Sequence, residues 1–588
     1  MRLRSAYVLL IATLTFSSLA AQSTIVVMEG VREPSPPPPP PPPAPQIDNP
    51  PEKSPSGPSS WTISGIVVSA TMGSPLDRAE VSLTTPGPRG STIASFLTSE
   101  NGSFRFDHLQ AGRYRLEASR RGYIAGGYQD HDGYFTGIVA GPNLNSQGLR
   151  LELLPTAIIG GVVTDDSGEP VGGAQVHLFR QDQSTGKSKI VGAGQDMTDD
   201  TGTYEFARLK AGTYYVGVSA TPWYAFHPAR KTDAADNPLP DDQQPHSPLD
   251  VAYAMTFFEN ATDSASASPI SLNPGDRVET NLSMHAVPAI HIRVTLRPPG
   301  EGPGRGMAMP MLTQDVFGEQ QMQPGGVTWM STSTSRNGNQ TNVLYGEFSG
   351  IAPGHYTLRQ FAQQGDEGHS ANVDLATDQT VDFTSASVSG VDVSGKVAMA
   401  SGAKLPDRTS VMLMPASGQN FSARAAVDGR FDLHSVPPGI YELQVHASGA
   451  SIAVAQMAAN GADVQGSHIM IATDPVLVAA TLATGSTTIT GYAKSNGKAI
   501  GGAMILLVPR NPNAGHQLFR RDQSNTDGSF TLTRVAPGNY ILVAIENGWT
   551  LDWAQPEVIA RYLAAGLNVQ VKGQKSLDLT TAVAVEPR

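Results

Sequence analysis

From residue 61 onward, apolar and polar side chains exchange places residue by residue over short runs. Examples are Phe104-Arg105-Phe106, Tyr114-Arg115-Leu116-Glu117-Ala118 and Tyr441-Glu442-Leu443-Gln444-Val445. Successive side chains of a strand point to opposite faces, so this period of two predicts half-buried β-strands. Clusters of Gly, Pro, Asp and Asn break the runs about every 8–12 residues, which predicts many short strands joined by tight turns. A helical period shows at Pro556–Ala565. There Val558, Ile559, Tyr562 and Leu563 share a face, Pro556 opens the first turn and Gly566 follows the last.

The alternation belongs to a larger repeat. Five segments share one ending: Asn101–Tyr114, Thr201–Tyr214, Leu344–Tyr356, Asp428–Tyr441 and Asp527–Tyr540. In four of them two glycines lie ten residues apart, and in all five a Tyr follows the second Gly by two. The pairs are Gly112/Tyr114, Gly212/Tyr214, Gly354/Tyr356, Gly439/Tyr441 and Gly538/Tyr540. Asp/Asn-Gly is a turn dipeptide, because Gly takes positive φ without a clash. A Tyr just after a second reversal suits a tyrosine corner, with its ring in the core and its hydroxyl bonded back to the turn, so these residues read as structural. Matching openings, Ile63-Ser-Gly, Ile159-Gly-Gly, Val393-Ser-Gly and Ile489-Thr-Gly, begin four of the units. The repeat predicts an all-β chain, a tandem array of about five small Greek-key β-sandwiches at 61–155, 156–288, 289–387, 388–484 and 485–588. The second carries a loop insertion at 222–265. The third departs most, with a blurred turn at Asn342–Phe348 and no Gly in its opening strand at Ile290–Leu296.

The phrases at Gly161–Val176 and Asp527–Tyr540 resemble the carboxypeptidase regulatory-like domain, a small seven-stranded sandwich of the transthyretin-like, carbohydrate-binding-like superfamily. The resemblance runs in tandem over about 61–588. It implies an accessory module, of a kind found beside peptidases and in sugar-binding proteins.

Ahead of the repeat, Met1–Ala21 reads as a secretory signal peptide: Arg2 and Arg4, a short apolar Tyr7–Phe16, and Ser18-Leu19-Ala20 before the cut. Residues 22–60 form a Pro-rich linker with eight consecutive prolines at Pro36–Pro43. Proline fixes φ and donates no hydrogen bond, so this stretch reads as polyproline II spacer. No later run is long and apolar enough to be a membrane span. The export reading places the mature chain in the periplasm, at the cell surface or outside the cell.

Composition narrows the chemistry. The chain of 588 residues has 40 Lys and Arg against 52 Asp and Glu, a net charge of −12, which argues against a nucleic-acid partner. There is no Cys, so disulfides, thiol nucleophiles and Cys-based metal sites are excluded. None of the 13 His opens the His-x-x-Glu pair of a metallocarboxypeptidase or a His-Glu-x-x-His motif. No Gly-x-Ser-x-Gly elbow or phosphate-binding Gly loop occurs. The expectation is therefore a non-enzyme with no catalytic or metal-ligating residue and no cofactor, apart from calcium at the loop pairs Asp165-Asp166, Asp199-Asp200 and Asp241-Asp242. Calcium takes about six to eight oxygens, whereas a solvated turn also favours Asp. Met307, Met309 and Met311 alternate, as a soft copper site or, more simply, one face of a strand would have them.

Loop aromatics are the binding candidates: Trp223, Tyr224, Phe226, Tyr253 and Phe257 in the insertion, and Tyr128 and Tyr134 in the first unit. They can stack on sugars, anchor a protein, or fold back over a sandwich edge. The reading is an exported, non-catalytic binding, adhesion or spacer module of the bacterial envelope, with a polysaccharide or an envelope protein as partner. A carbohydrate-binding protein and an accessory part of a peptidase or glycosidase system are the alternatives.

Overall fold

The computed structural model describes residues 60–588 apart from short breaks at 88–89, 232, 234–238, 240–242, 297–309, 323–325, 337–338, 361–368, 383–389 and 416–419. The predicted signal peptide and nearly all of the Pro-rich linker lie outside the described residues, as do Asp241, Asp242, Met307 and Met309.

Five segments build the same two layers around their opening strand, joined in the fifth into one nine-stranded sheet by Val583–Glu586, which pairs with strands of both layers. In the first sandwich, Trp61–Ser69 runs antiparallel to Ser103–Leu109 and parallel to the closing strand Leu149–Leu153. The facing sheet orders Thr92–Leu97, Glu80–Thr84, Gly112–Ser119 and Gly126–Gly127. The parallel pairing of first and closing strands recurs in the other four, as Ala157–Asp165 with Arg277–Glu279, Ile290–Leu296 with Gln379–Asp382, Val391–Met399 with Val476–Thr484, and Thr487–Ser495 with Ser576–Asp578. The inward faces bury the alternating apolar positions. Ile63, Val67, Val81, Phe104 and Leu116 fill the first core, and Ile489, Ile505, Phe530 and Leu542 the fifth.

The recurring glycine has a steric reason. Gly102, Gly202, Gly429 and Gly528 take φ of +70 to +87°, and a Cβ on each would lie 2.0–2.6 Å from a carbonyl oxygen of the opening strand. The absent side chain lets the turn's carbonyl accept from that strand, Val67 N to Gly102 O at 2.8 Å and Ala493 N to Gly528 O at 2.8 Å. The third sandwich has no such turn. Its equivalent strand Asn339–Ile351 continues into a long hairpin with Gly326–Arg336, which accounts for the blurred sequence there.

A second device follows. Six residues before the corner Tyr the backbone is left-handed at His108, Arg208 and Arg534, φ 57–59°, and at Gly350, φ 74°. The ladder to the opening strand slips register at this point, a bulge that turns the chain toward the facing sheet. The Tyr then closes the corner. The hydroxyls of Tyr114, Tyr214, Tyr356, Tyr441 and Tyr540 donate to the carbonyls of Gln110, Lys210, Ala352, Pro437 and Ala536 at 2.7–2.8 Å. All five tyrosines are 2–8 % exposed. The small neighbour matters, since a Cβ on Gly538 would sit 3.1 Å from the Tyr540 ring.

The fifth sandwich meets three others. Against the first, Gln523 Nε2 donates to the Gln129 carbonyl (2.7 Å) and to Thr136 Oγ1 (2.8 Å), and His131 stacks on Trp549 at 4.9 Å. The Arg521 guanidinium lies over Tyr134, Trp549 and Trp553. Against the second, Trp553 packs on Gly186, where a Cβ would come within 2.6 Å. Against the fourth, Gln517 Nε2 donates to the Val445 carbonyl and Glu442 accepts from His516 N. The helix Pro556–Leu563, two residues shorter than the period suggested, covers the outer face of this sandwich with Ile559 and Tyr562 buried.

Tyr540→Phe should leave the buried Ala536 carbonyl unpaired and lower the stability of the fifth sandwich by about 1–2 kcal/mol. Tyr540→Ala, which also opens a cavity, should cost about 3–5 kcal/mol. Denaturant unfolding followed by fluorescence of Trp549 and Trp553 measures both. Burial pushes Tyr356 and Tyr540 up to about 12. A raised folded value means that this contribution is intact below about pH 10 and is lost as the pH climbs toward 12. Absorbance at 295 nm should show these rings ionising together with unfolding; ionisation at about pH 10 with the fold intact would contradict the burial argument.

Candidate functional site

The insertion of the second sandwich is a strap that leaves after Gly212–Ser219 and returns at Val251–Tyr253. Most of its described residues lie outside helices and strands, and it is held by its own polar groups. The buried Gln244 accepts from Lys231 N and donates to the carbonyls of Lys231 and Leu239, at 2.7–3.1 Å. Phe226 N donates to the Leu249 carbonyl at 2.8 Å. Where the strap returns, Val251–Tyr253 pairs with Ala286–Pro288, and Ala289 N donates to the Asp250 carbonyl. Asp250 is thus fixed one residue before a strand and beside the entrance to the third sandwich.

The strap meets the opening strand of that sandwich through an imidazole–carboxylate cluster. His227 Nδ1 faces Asp250 Oδ1 at 2.8 Å, and His291 Nε2 faces Asp250 Oδ2 at 2.9 Å. On its far side, His291 Nδ1 faces Glu347 Oε1 at 3.3 Å, and its backbone N donates to Asp378 Oδ1 at 2.9 Å. Arg230, from the strap, pairs with Asp378. His291 is only 4 % exposed, while His227 and Asp250 are partly exposed. One ligand-bearing atom each of His227, Asp250 and His291 lie within 4.8 Å of one another. A cavity of about 190 Å³ opens beside them, lined by Arg230, Leu239, His291, Arg293, Glu347 and Asp378. Burial opposes ionisation of His291, but the hydrogen-bonded carboxylates of Glu347 and Asp250, with the charge of Asp378, outweigh it and raise its pKa.

Local backbone makes room for this arrangement. Gly350 occupies the left-handed bulge position that His108, Arg208 and Arg534 occupy elsewhere. A Cβ there would lie 2.4 Å from His227 Nε2. Absence of a side chain at 350 therefore lets the His227 ring lie flush on the third sandwich.

The sequence offers a cation its loop Asp pairs, and His227, Asp250, His291 and Glu347 belong to no motif in it. His227, Asp250 and His291 stand 23 and 41 positions apart, one in a loop, one before a strand and one within it. No spacing marks them; the departure at Gly350 and the strap's polarity were the available signals.

The aromatic candidates divide sharply. Tyr253 and Phe257 are buried, Tyr253 in the second core and Phe257 against Phe317 of the third sandwich at 5.7 Å, so neither is available to a ligand. Burial also raises the pKa of Tyr253, with Tyr224 and Asp165 adding to the effect. Tyr128 is half-buried against the first core, and Tyr134 is half-buried in the seam against Trp549. Folding back over edges and seams satisfies their large apolar area. Trp223 and Phe226 remain 84 % and 59 % exposed, with Tyr224 partly exposed and edge-on to Trp223 at 5.7 Å.

The loop acids serve their own turns. Asp165 Oδ1 accepts from Ser167 N, Ser167 Oγ and Glu169 N, and Asp199 Oδ1 from Thr201 N, Thr201 Oγ1 and Thr203 N, at 2.6–2.9 Å. Met311 lies partly buried on the strand Pro310–Val316. Among the described residues no helix is long and apolar enough to cross a membrane.

Residues 62–132 and 158–235 match the family model of the carboxypeptidase regulatory-like domain, and 486–568 that of the second β-sandwich domain of a NOMO1-like BOS complex subunit. These segments fall in the first, second and fifth sandwiches. No curated protein matches the chain. Similar solved structures include a streptococcal ancillary pilin, 10 % identical, covering 55 % of this chain and 98 % of that one with a TM-score of 0.17. The minor pilin GBS52 of Streptococcus agalactiae is 12 % identical over 42 % and 99 % of the two chains, TM-score 0.19. The Bacillus anthracis TIE protein is 9 % identical over 73 % and 75 %, TM-score 0.16.

Gly350→Ala should push His227 off the third sandwich and loosen the strap. Faster amide exchange over Phe226–Asp250, at a cost of about 1–3 kcal/mol for the strained backbone, is the expected result; unchanged exchange would refute the tight fit. The turn acids set an acid limit. Hydrogen bonds from Ser167 and Thr201 lower the pKa of Asp165 and Asp199, and Arg430 that of Asp428. A depressed folded value means stability that is present above about pH 4 and lost as the pH falls through the folded values. An acid titration of the melting temperature should show this fall, and Asp165→Asn with Asp199→Asn should flatten it.

Proposed function

We propose that this chain is an exported, non-catalytic assembly of β-sandwiches that acts as a binding or adhesion module of the cell envelope, set off by its Pro-rich segment. The observation that carries the reading is the exposed Trp223 and Phe226 on a strap whose backbone is anchored at both ends. A Trp in water forgoes most of the apolar area it could bury, and Trp is the residue most enriched at the energetic centres of protein interfaces. The strap holds these rings in place, so little ordering entropy opposes docking. The carboxypeptidase regulatory-like match supports an accessory module, and the leader-like Met1–Ala21 supports export.

Ring geometry favours a protein partner over a polysaccharide. A sugar chain is gripped by rings that present their faces in one plane, whereas Trp223 and Tyr224 stand at 90° to each other. An edge-to-face pair forms a knob for a pocket.

The purified chain should be retained by an envelope preparation of its source organism, and Trp223→Ala with Phe226→Ala should weaken retention at least tenfold while leaving the melting temperature unchanged. Retention by both proteins alike, or by neither, would sink the proposal. Binding on a glycan array that the same double variant abolishes would shift the reading to carbohydrate recognition.

A further inference from the structure

We propose that His227, Asp250 and His291 form a zinc site, with Glu347 as its outer-sphere partner, which ties the strap of the second sandwich to the first strand of the third. This goes beyond the binding role of the exposed aromatics and does not depend on it.

The donor set is of the right kind. Two imidazole nitrogens and one carboxylate oxygen are the protein ligands of many four-coordinate zinc sites, leaving one position for water. Nitrogen donors favour zinc over calcium and magnesium, which take oxygen. The present separations, 2.8 Å from His227 Nδ1 to Asp250 Oδ1 and 2.9 Å from His291 Nε2 to Asp250 Oδ2, are shorter than the about 3.3 Å between ligand atoms on a tetrahedral zinc. Entry of the metal therefore displaces the protons that bridge these two pairs, releasing them to solvent, and draws together ligand atoms that now lie within 4.8 Å of one another.

The surroundings distinguish this cluster from a chance pairing of surface groups. His291 Nδ1 points at Glu347 Oε1, the position of the carboxylate that commonly orients a metal-bound imidazole, and this contact turns Nε2 toward Asp250. His291 is itself held by its backbone bond to Asp378. Gly350 shapes the floor against His227, so that Nδ1 faces inward. Two neutral imidazoles with the carboxylates of Asp250 and Glu347 can offset one divalent cation; nearby, Arg230 is matched by Asp378, and Arg293 lines the adjoining cavity. The cavity of about 190 Å³ reaches the cluster at His291 and Glu347, on its outer-sphere side. The bonds join a residue of the strap, one at its end and one on the next sandwich, so the metal would act as a cross-link between two domains in a chain with no Cys.

The test uses the full chain, stripped with a chelator and titrated with Zn²⁺. One equivalent should bind, and X-ray absorption at the zinc edge of the wild-type protein should show two imidazoles at about 2.0 Å with oxygen completing the shell. His227→Gln, on the partly exposed strap, should weaken binding at least tenfold with an unchanged far-UV spectrum, and Glu347→Gln should weaken it about 10–100-fold. Zinc should slow amide exchange over the strap and over Ile290–Leu296, and should not do so in His227→Gln. No binding above buffer, fewer than two imidazoles in the absorption spectrum, or full affinity in His227→Gln would overturn the assignment.

Discussion

The hydrogen bond from each corner tyrosine to the carbonyl four residues behind it is the contact on which the architecture rests. A sandwich of this size must send its chain from one sheet to the other without stranding polar backbone in the core. The left-handed bulge bends the chain, the glycine clears the space, and the tyrosine fills it with a ring while its hydroxyl satisfies the carbonyl that the bend leaves unpaired. Each core closes on itself; the left-handed bulge recurs in four units and the tyrosine bond in all five. Its energy is modest for one bond, but the alternative is a buried carbonyl without a partner, and that difference selects the native turn.

Self-contained cores leave the surfaces between sandwiches free to specialise. The seam between the first and fifth is built from Gln523, the cage of rings around Arg521 and the stacked His131 and Trp549. That between the second and third is a cluster of Phe179, Phe257 and Phe317 with the imidazole–carboxylate group at the strap. Of the residues that look in the sequence like binding aromatics, Phe257 and Tyr134 are spent in these seams, and Tyr253 and Tyr128 pack in or against the cores. What remains in water, Trp223 and Phe226, stands out because its neighbours in type have been buried.

The third sandwich shows how a departure from the repeat can open a site. Its turn is replaced by a long hairpin, its opening strand has His291 where the others carry Thr62, Ile158, Asp392 and Thr488, and its bulge position is glycine. Each change weakens the repeat signature. Together they admit the strap, with Glu347 on one flanking strand and Asp378 just before the other to receive it.

Local pattern alone determined the strands, the glycine turns, the corner tyrosines and the helix near Pro556, because each depends on residues a few positions apart. The repeat of those patterns determined an all-β tandem array, since a unit that closes its own core reads the same wherever it stands in the chain. Tertiary structure decided which loop aromatics are buried, that the first and fifth sandwiches touch, and that His227, Asp250 and His291 converge. Those outcomes depend on how finished domains dock, through contacts between residues tens to hundreds of positions apart. No short-range period encodes such contacts.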